Sequence, residues 1–130
     1  MNLTPRTAQG IALDDAYFTR SNARDGVHRL LGSTDLRPQQ RTTCAFIGTE
    51  LVLMLRRNGG FFDYDPARLA EGLHLSSVHY LHTQIRYLAQ AGVLERQIYF
   101  VINNKTGQPE KRYRLRFPEN LPVLLQEADW

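Results

Sequence analysis

The chain has 130 residues, 42% of them hydrophobic, a net charge of +3 and one cysteine, Cys44. That length fits one domain with at most an added arm, and the apolar fraction supports an ordinary core. A lone cysteine excludes an intrachain disulfide framework, no apolar run approaches the ~20 residues that span a bilayer, and Met1-Asn2-Leu3-Thr4-Pro5-Arg6 lacks a signal peptide's apolar stretch, so a cytoplasmic protein with no membrane partner is expected.

Residues 1–12 read as a weakly ordered arm. Over 13–31 the scattered apolar residues Leu13, Tyr17, Phe18, Val27, Leu30 and Leu31 predict one or two short helices, closed by a loop at Gly32-Ser33-Thr34-Asp35 and Pro38. A helix is expected over 42–57, capped by Thr42 or Thr43 and ended by a left-handed residue at Asn58-Gly59. It is apolar on most faces, so it is buried nearly all round, or buried on one side and dimerised on another. Gly48 in its middle costs about 1 kcal/mol relative to alanine, which points to a close helix contact.

The next helix starts at Asp65, whose carboxylate suits the N-cap, with Pro66 in the first helical position. Leu69, Ala70 and Leu73 form its inner face, and Gly72 and His74 lie near the turn that follows. Ser76 is placed to cap a second helix over 76–90. There Val78, Leu81, Ile85 and Leu88 recur at helical spacing as one buried stripe, and Ala91-Gly92 closes it. A hairpin is expected over 98–117. Ile98-Tyr99-Phe100-Val101-Ile102 favours a strand, residues 103–110 are turn-rich, and in the run 111–117 Tyr113, Leu115 and Phe117 face one way while Arg112, Arg114 and Arg116 face the other. Asn120-Leu121-Pro122 begins a short final helix with Val123, Leu124 and Leu125.

Charge is uneven along this plan. Residues 1–40 and 41–96 each carry +1. Residues 97–117 hold Lys105, Lys111, Arg112, Arg114 and Arg116 against Glu110 alone, a net of +4, and residues 118–130 carry −3. The hairpin is the basic element, and the tail points away from any polyanion.

The run Leu69 to Arg96, with its skeleton "LA…L.LS…V..L…L..AGVLER" followed by a hairpin ending in Tyr113-Arg114-Leu115, resembles the helix-turn-helix of winged-helix DNA-binding proteins, including the MarR, ArsR and PadR-like regulators. The resemblance covers roughly 42–117 and singles out no one family. It implies an α+β, mainly α fold: a winged helix-turn-helix over 41–117, an N-terminal helical extension over 1–40 with a possible dimerisation role, and an acidic tail with a short helix over 118–130. It further implies a sequence-specific double-stranded DNA-binding protein, a dimeric transcriptional regulator associated with the nucleoid and without enzymatic activity or cofactor. Helix 76–90 would enter the major groove, where Ser77, His79, Tyr80, His82, Thr83 and Arg86 face outward near its start. Ser76 and Ser77 would sit at the positive helix end, suited to a phosphate oxygen. The hairpin would be the wing, with Lys105 at its tip and Lys111 and Arg112 beside it. Arg114 and Arg116 lie further back, where acids such as Glu95 are available as partners.

Three other readings bear weighing. The same DNA contacts would serve a plasmid or other mobile element in partition, replication or conjugation control. A winged helix also serves protein–protein contact, marked by an acidic or apolar recognition face. His79 and His82 share a helical face, but zinc needs three or four ligands, and Cys44 sits in an apolar helix as a small hydrophobe, so no metal is expected. Asp14-Asp15 reads as a solvated pair in the arm, and no Ser-His-Asp ordering or phosphate-cradling glycine loop stands out.

Overall fold

In the computed structural model, residues 19–119 are described. Four helices and a three-stranded antiparallel sheet give an α+β architecture, about half of it helical: α1 (Arg20–Leu31), α2 (Pro38–Arg57), β1 (Phe61–Tyr64), α3 (Pro66–Gly72), α4 (Val78–Gln90), β2 (Glu95–Ile102) and β3 (Pro109–Arg116). The expected arm over 1–12, the apolar positions Leu13, Tyr17 and Phe18, Asp14-Asp15 and the helix at 120–125 lie outside the described residues.

α2 is the axis of the domain. One side receives α1 through Ala23, Val27 and Leu31, and another receives α4 through Leu88. Burying each such Leu or Val stabilises the fold by roughly 1.5–3 kcal/mol. The helices meet at Gly48, where a Cβ would stand 2.6 Å from Leu88 Cδ2 and 3.0 Å from Val27 Cγ1. That is the close contact its position predicts. Arg20 of α1 is ion-paired with Glu50 of α2. The burial of α2 is not complete: Phe46 is 63% exposed and Thr42 and Thr43 face solvent.

The start of α2 corrects one expectation. The helix begins at Pro38, not at 42, and neither Thr42 nor Thr43 caps it. Pro38 presets φ for a first turn and needs no N–H partner. The Gln40 side chain accepts the Arg37 N–H at 3.0 Å, and the Thr42 and Thr43 hydroxyls bond back to Pro38 O and Gln39 O at 3.0 and 3.3 Å. The helix ends as expected, with Gly59 left-handed at φ 78°.

α3 is capped by Asp65, whose Oδ1 accepts the Ala67 N–H at 2.9 Å, and it buries Leu69 and Ala70. The turn into α4 is held by Leu75 N–H on Ala70 O at 2.8 Å. Its left-handed residue is His74, at φ 58°, a conformation that histidine enters more readily than most side chains. α4 is capped by Ser77, not Ser76: Ser77 Oγ accepts the Tyr80 N–H at 3.1 Å, and the helix starts at Val78 rather than 76. Ser76 lies one residue outside, too far back for its hydroxyl to serve the first free N–H groups. Leu81, Ile85 and Leu88 are buried as their spacing predicts, with Val78 half-buried, and Gly92 turns the chain at φ 82°.

The sheet order is β1-β3-β2. β2 begins at Glu95, three residues before the expected start at Ile98, because Glu95 and Arg96 pair with Arg116 and Leu115. β1 goes beyond the sequence-level expectation. Four residues are too few to display alternation, although Phe61-Phe62-Asp63-Tyr64 stands between Gly59-Gly60 and Asp65-Pro66. It pairs antiparallel with β3 from Phe61↔Arg116 to Tyr64↔Tyr113.

Candidate functional site

The register divides the sheet into two faces. Phe62, Tyr64, Arg96, Ile98, Phe100, Ile102, Lys111, Tyr113 and Leu115 share the face that packs against the helices; Phe61, Asp63, Glu95, Gln97, Tyr99, Arg112, Arg114 and Arg116 share the other. The helices cover only the root of the inner face, so the distal half of the hairpin projects past them.

The outer face neutralises itself. Arg114 Nε donates to Asp63 Oδ1 at 2.7 Å, Tyr99 Oη donates to Asp63 Oδ2 at 2.6 Å, Arg116 pairs with Glu95 at 3.1 Å, and Arg112 pairs with Glu110 at 3.0 Å. The bond from Arg114, and then that from Tyr99, holds the Asp63 carboxyl below the usual carboxylate range. The expected link between Arg116 and Glu95 is therefore present. Arg112, expected as a free wing cation, spends its charge on Glu110.

The inner face differs. Arg96 Nη1 donates to His82 Nδ1 at 3.3 Å, the His82 ring lies 5.5 Å from the Tyr113 ring, and Lys111 Nζ lies 5.3 Å from the Tyr113 centroid. α4 and the hairpin thus meet through these four side chains. His82 titrates below its ordinary range, first because burial disfavours the charged ring and then because Arg96, Lys111 and His79 repel it.

The other expected site residues are distributed along α4 and the hairpin. Ser76, Ser77, His79 and Arg86 are exposed; Thr83 is half-buried, with its hydroxyl on His79 O at 3.0 Å. The Arg86 guanidinium lies 5.6 Å from the Tyr87 ring. Tyr80 is half-buried and packs against the core. Lys105 is exposed at the hairpin tip, where Asn103 Oδ1 accepts the N–H groups of Lys105 and Thr106 at 2.8 and 3.2 Å and fixes the turn. No Asp or Glu occurs anywhere along α4.

Two features escape a reading of the sequence. Arg96 joins the set only because β2 starts early and sets it on the same face as Ile98. Ile98, Phe100 and Ile102, at 43%, 63% and 62% exposure, form an apolar stripe past the core. The apolar run Ile98-Tyr99-Phe100-Val101-Ile102 was the available signal, but such a run does not say where the helices stop covering the sheet.

Cys44 is fully buried, its Sγ donating to Gln84 O at 3.9 Å, and burial pushes its thiol up to about 12. At neutral pH it is a thiol, unsuited to nucleophilic or metal chemistry. Among the described residues no three His, Cys, Asp or Glu side chains are placed to hold a metal ion, and no helix is long and apolar enough to cross a membrane. Comparison of the chain with protein-family models, with curated proteins and with solved structures finds no match.

Proposed function

We propose that this protein is a winged-helix protein that binds double-stranded DNA in a sequence-specific way and acts as a dimeric transcriptional regulator without enzymatic activity. α4 enters the major groove, and the β2–β3 hairpin is the wing. The observation that carries the reading is the character of α4: thirteen residues without a carboxylate, capped by Ser77 and exposing His79 and Arg86, set directly against a basic hairpin. Serine, threonine, histidine and arginine all bond to base edges, and arginine reads guanine with two bonds. Lys105 and Lys111 supply the phosphate contacts that position the helix. The test is duplex affinity measured across a salt series. Affinity falls steeply as salt rises, because each neutralised phosphate releases counterions. A flat response, or no binding at low salt, removes the DNA reading.

A second reading is favoured by the apolar stripe Ile98-Phe100-Ile102 on an edge strand, which is the kind of surface another protein covers. In that reading the wing is a protein-contact element. Phe100→Glu tests the stripe itself: it abolishes self-association if the stripe joins two copies, and leaves the oligomeric state unchanged if it does not.

A further inference from the structure

Between α4 and the hairpin, basic groups converge; Asp63, Asp65 and Glu110 line the hollow beside Lys111 and Tyr113, but none is ion-paired with the converging cations. Arg96 reaches His82 from β2, Lys111 comes over Tyr113 from β3, and His79 stands one turn before His82 on α4. Tyr64 of β1 completes the floor. Its ring lies 5.7 Å from that of Tyr113, and its hydroxyl is buried without a hydrogen-bond partner among the described residues. The sheet's carboxylates, Asp63, Glu95 and Glu110, are engaged on the opposite face by Arg114, Arg116 and Arg112. Among the described residues no carboxylate lies within ion-pair distance of Arg96 or Lys111.

We propose that this notch is a binding site for one backbone phosphodiester of the DNA duplex, held by Arg96, Lys111 and His82. The inference rests on the DNA reading and makes it specific: His82, expected at a base edge, becomes a phosphate contact, and Arg96 joins the interface. The chemistry favours a phosphate over a base edge. Arginine and lysine are donors only, and since the guanidinium can only donate, His82 Nδ1 is the acceptor and Nε2 carries the proton. A notch whose charged groups are donors suits the acceptor oxygens of a phosphodiester, whereas a base edge in the major groove presents donors as well as acceptors. The repulsion by Arg96 and Lys111 that keeps the His82 ring from charging is relieved when an anion enters.

The test is histidine titration followed by nuclear magnetic resonance on the full chain. It is run alone, with a duplex of about two helical turns at low salt, and with inorganic phosphate. In the free protein His82 titrates below its ordinary range for the reasons given above. With duplex bound its pKa moves up, by about one pH unit. The complex then takes up a proton, so duplex affinity rises as pH falls through that window. Arg96→Gln and Lys111→Gln each lower the salt slope by about one. Because both residues hold the same phosphate, the double variant loses no more than the stronger single variant. If Arg96→Gln does not fold, the exposed Lys111→Gln gives the same readout. Duplex binding that shifts α4 amides but leaves His82 titration unchanged overturns the notch and spares the DNA reading. No response of any α4 amide or histidine ring overturns both. A His82 response to inorganic phosphate but not to duplex makes the site one for free phosphate and overturns the proposal.

Discussion

Gly48 shows how one residue sets the spacing of three helices. A Cβ there would stand 2.6 Å from a Leu88 methyl, closer than relaxed contacts come, and 3.0 Å from a Val27 methyl, so both side chains must give way. Gly48→Ala gains about 1 kcal/mol of helix propensity but overpacks the core by about 1–3 kcal/mol. The expected net is destabilisation, read as a lower denaturant midpoint at unchanged slope; a higher midpoint would show that α1 and α4 move aside freely. On the proposed DNA reading, Arg86→Ala and Lys105→Ala at the surface are expected to fail differently. Arg86 is exposed on α4, where loss of a bidentate base contact costs about 1–3 kcal/mol and relaxes preference at one position. Lys105 sits on a turn fixed by Asn103, and its loss weakens all sequences alike and lowers the salt slope by about one. Affinities on selected and scrambled duplexes separate the two. Preference that changes with Lys105→Ala and not with Arg86→Ala would make the wing the reader.

Among the elements, the four-residue β1 is held by side chains as well as by its ladder with β3. Asp63 accepts from Arg114 and Tyr99, binding β1 to both strands of the hairpin. Its folded pKa lies below its ordinary value, chiefly through the Arg114 bond. The bond's contribution to stability is therefore present above the unfolded pKa and lost as pH falls through the lower folded value. Both charges are largely in water, so the effect is small and weakens in salt. Thermal midpoints between neutral pH and pH about 2 should converge for wild type and Asp63→Asn as the pH drops. Curves that stay parallel would mean that Asp63 carries no linkage. The outer face also shows why the arginines alternating along β3 are not free cations: Asp63 of β1, Glu95 of β2 and Glu110 of β3 itself pair with Arg114, Arg116 and Arg112, and the Arg114–Asp63 link is legible only once the strands are in register.

At the scale of the whole molecule, the large apolar side chains exposed among the described residues are Phe46 on α2, Phe61 on β1 and the Ile98-Phe100-Ile102 stripe on β2. A single winged helix covers little DNA, and tight operator binding usually joins two half-sites through two-fold symmetry. On the proposed reading a homodimer is expected in light scattering, and Phe46→Glu is expected to shift the population toward monomer if α2 is the interface. A wild-type monomer both free and on DNA would count against the dimer.

What the sequence determined by itself was local. Helical periodicity marked Leu81, Ile85 and Leu88 as buried, the Asp65-Pro66 pair started α3, Gly92 ended α4, and the gap between apolar runs placed the hairpin, because these signals act within a turn or a strand. Even the Gly48 contact was legible, since a glycine inside a strong helix has a cost that packing must offset. Only the tertiary structure decided which cations stay unpaired. Asp63 reaches Arg114 across 51 residues and Arg96 reaches His82 across 14, and whether a basic side chain meets an acid or another base depends on register and on which face of the sheet the helices cover. Net charge along the chain carries no information about that, so the basic hairpin could be read from the sequence and the notch at its root could not.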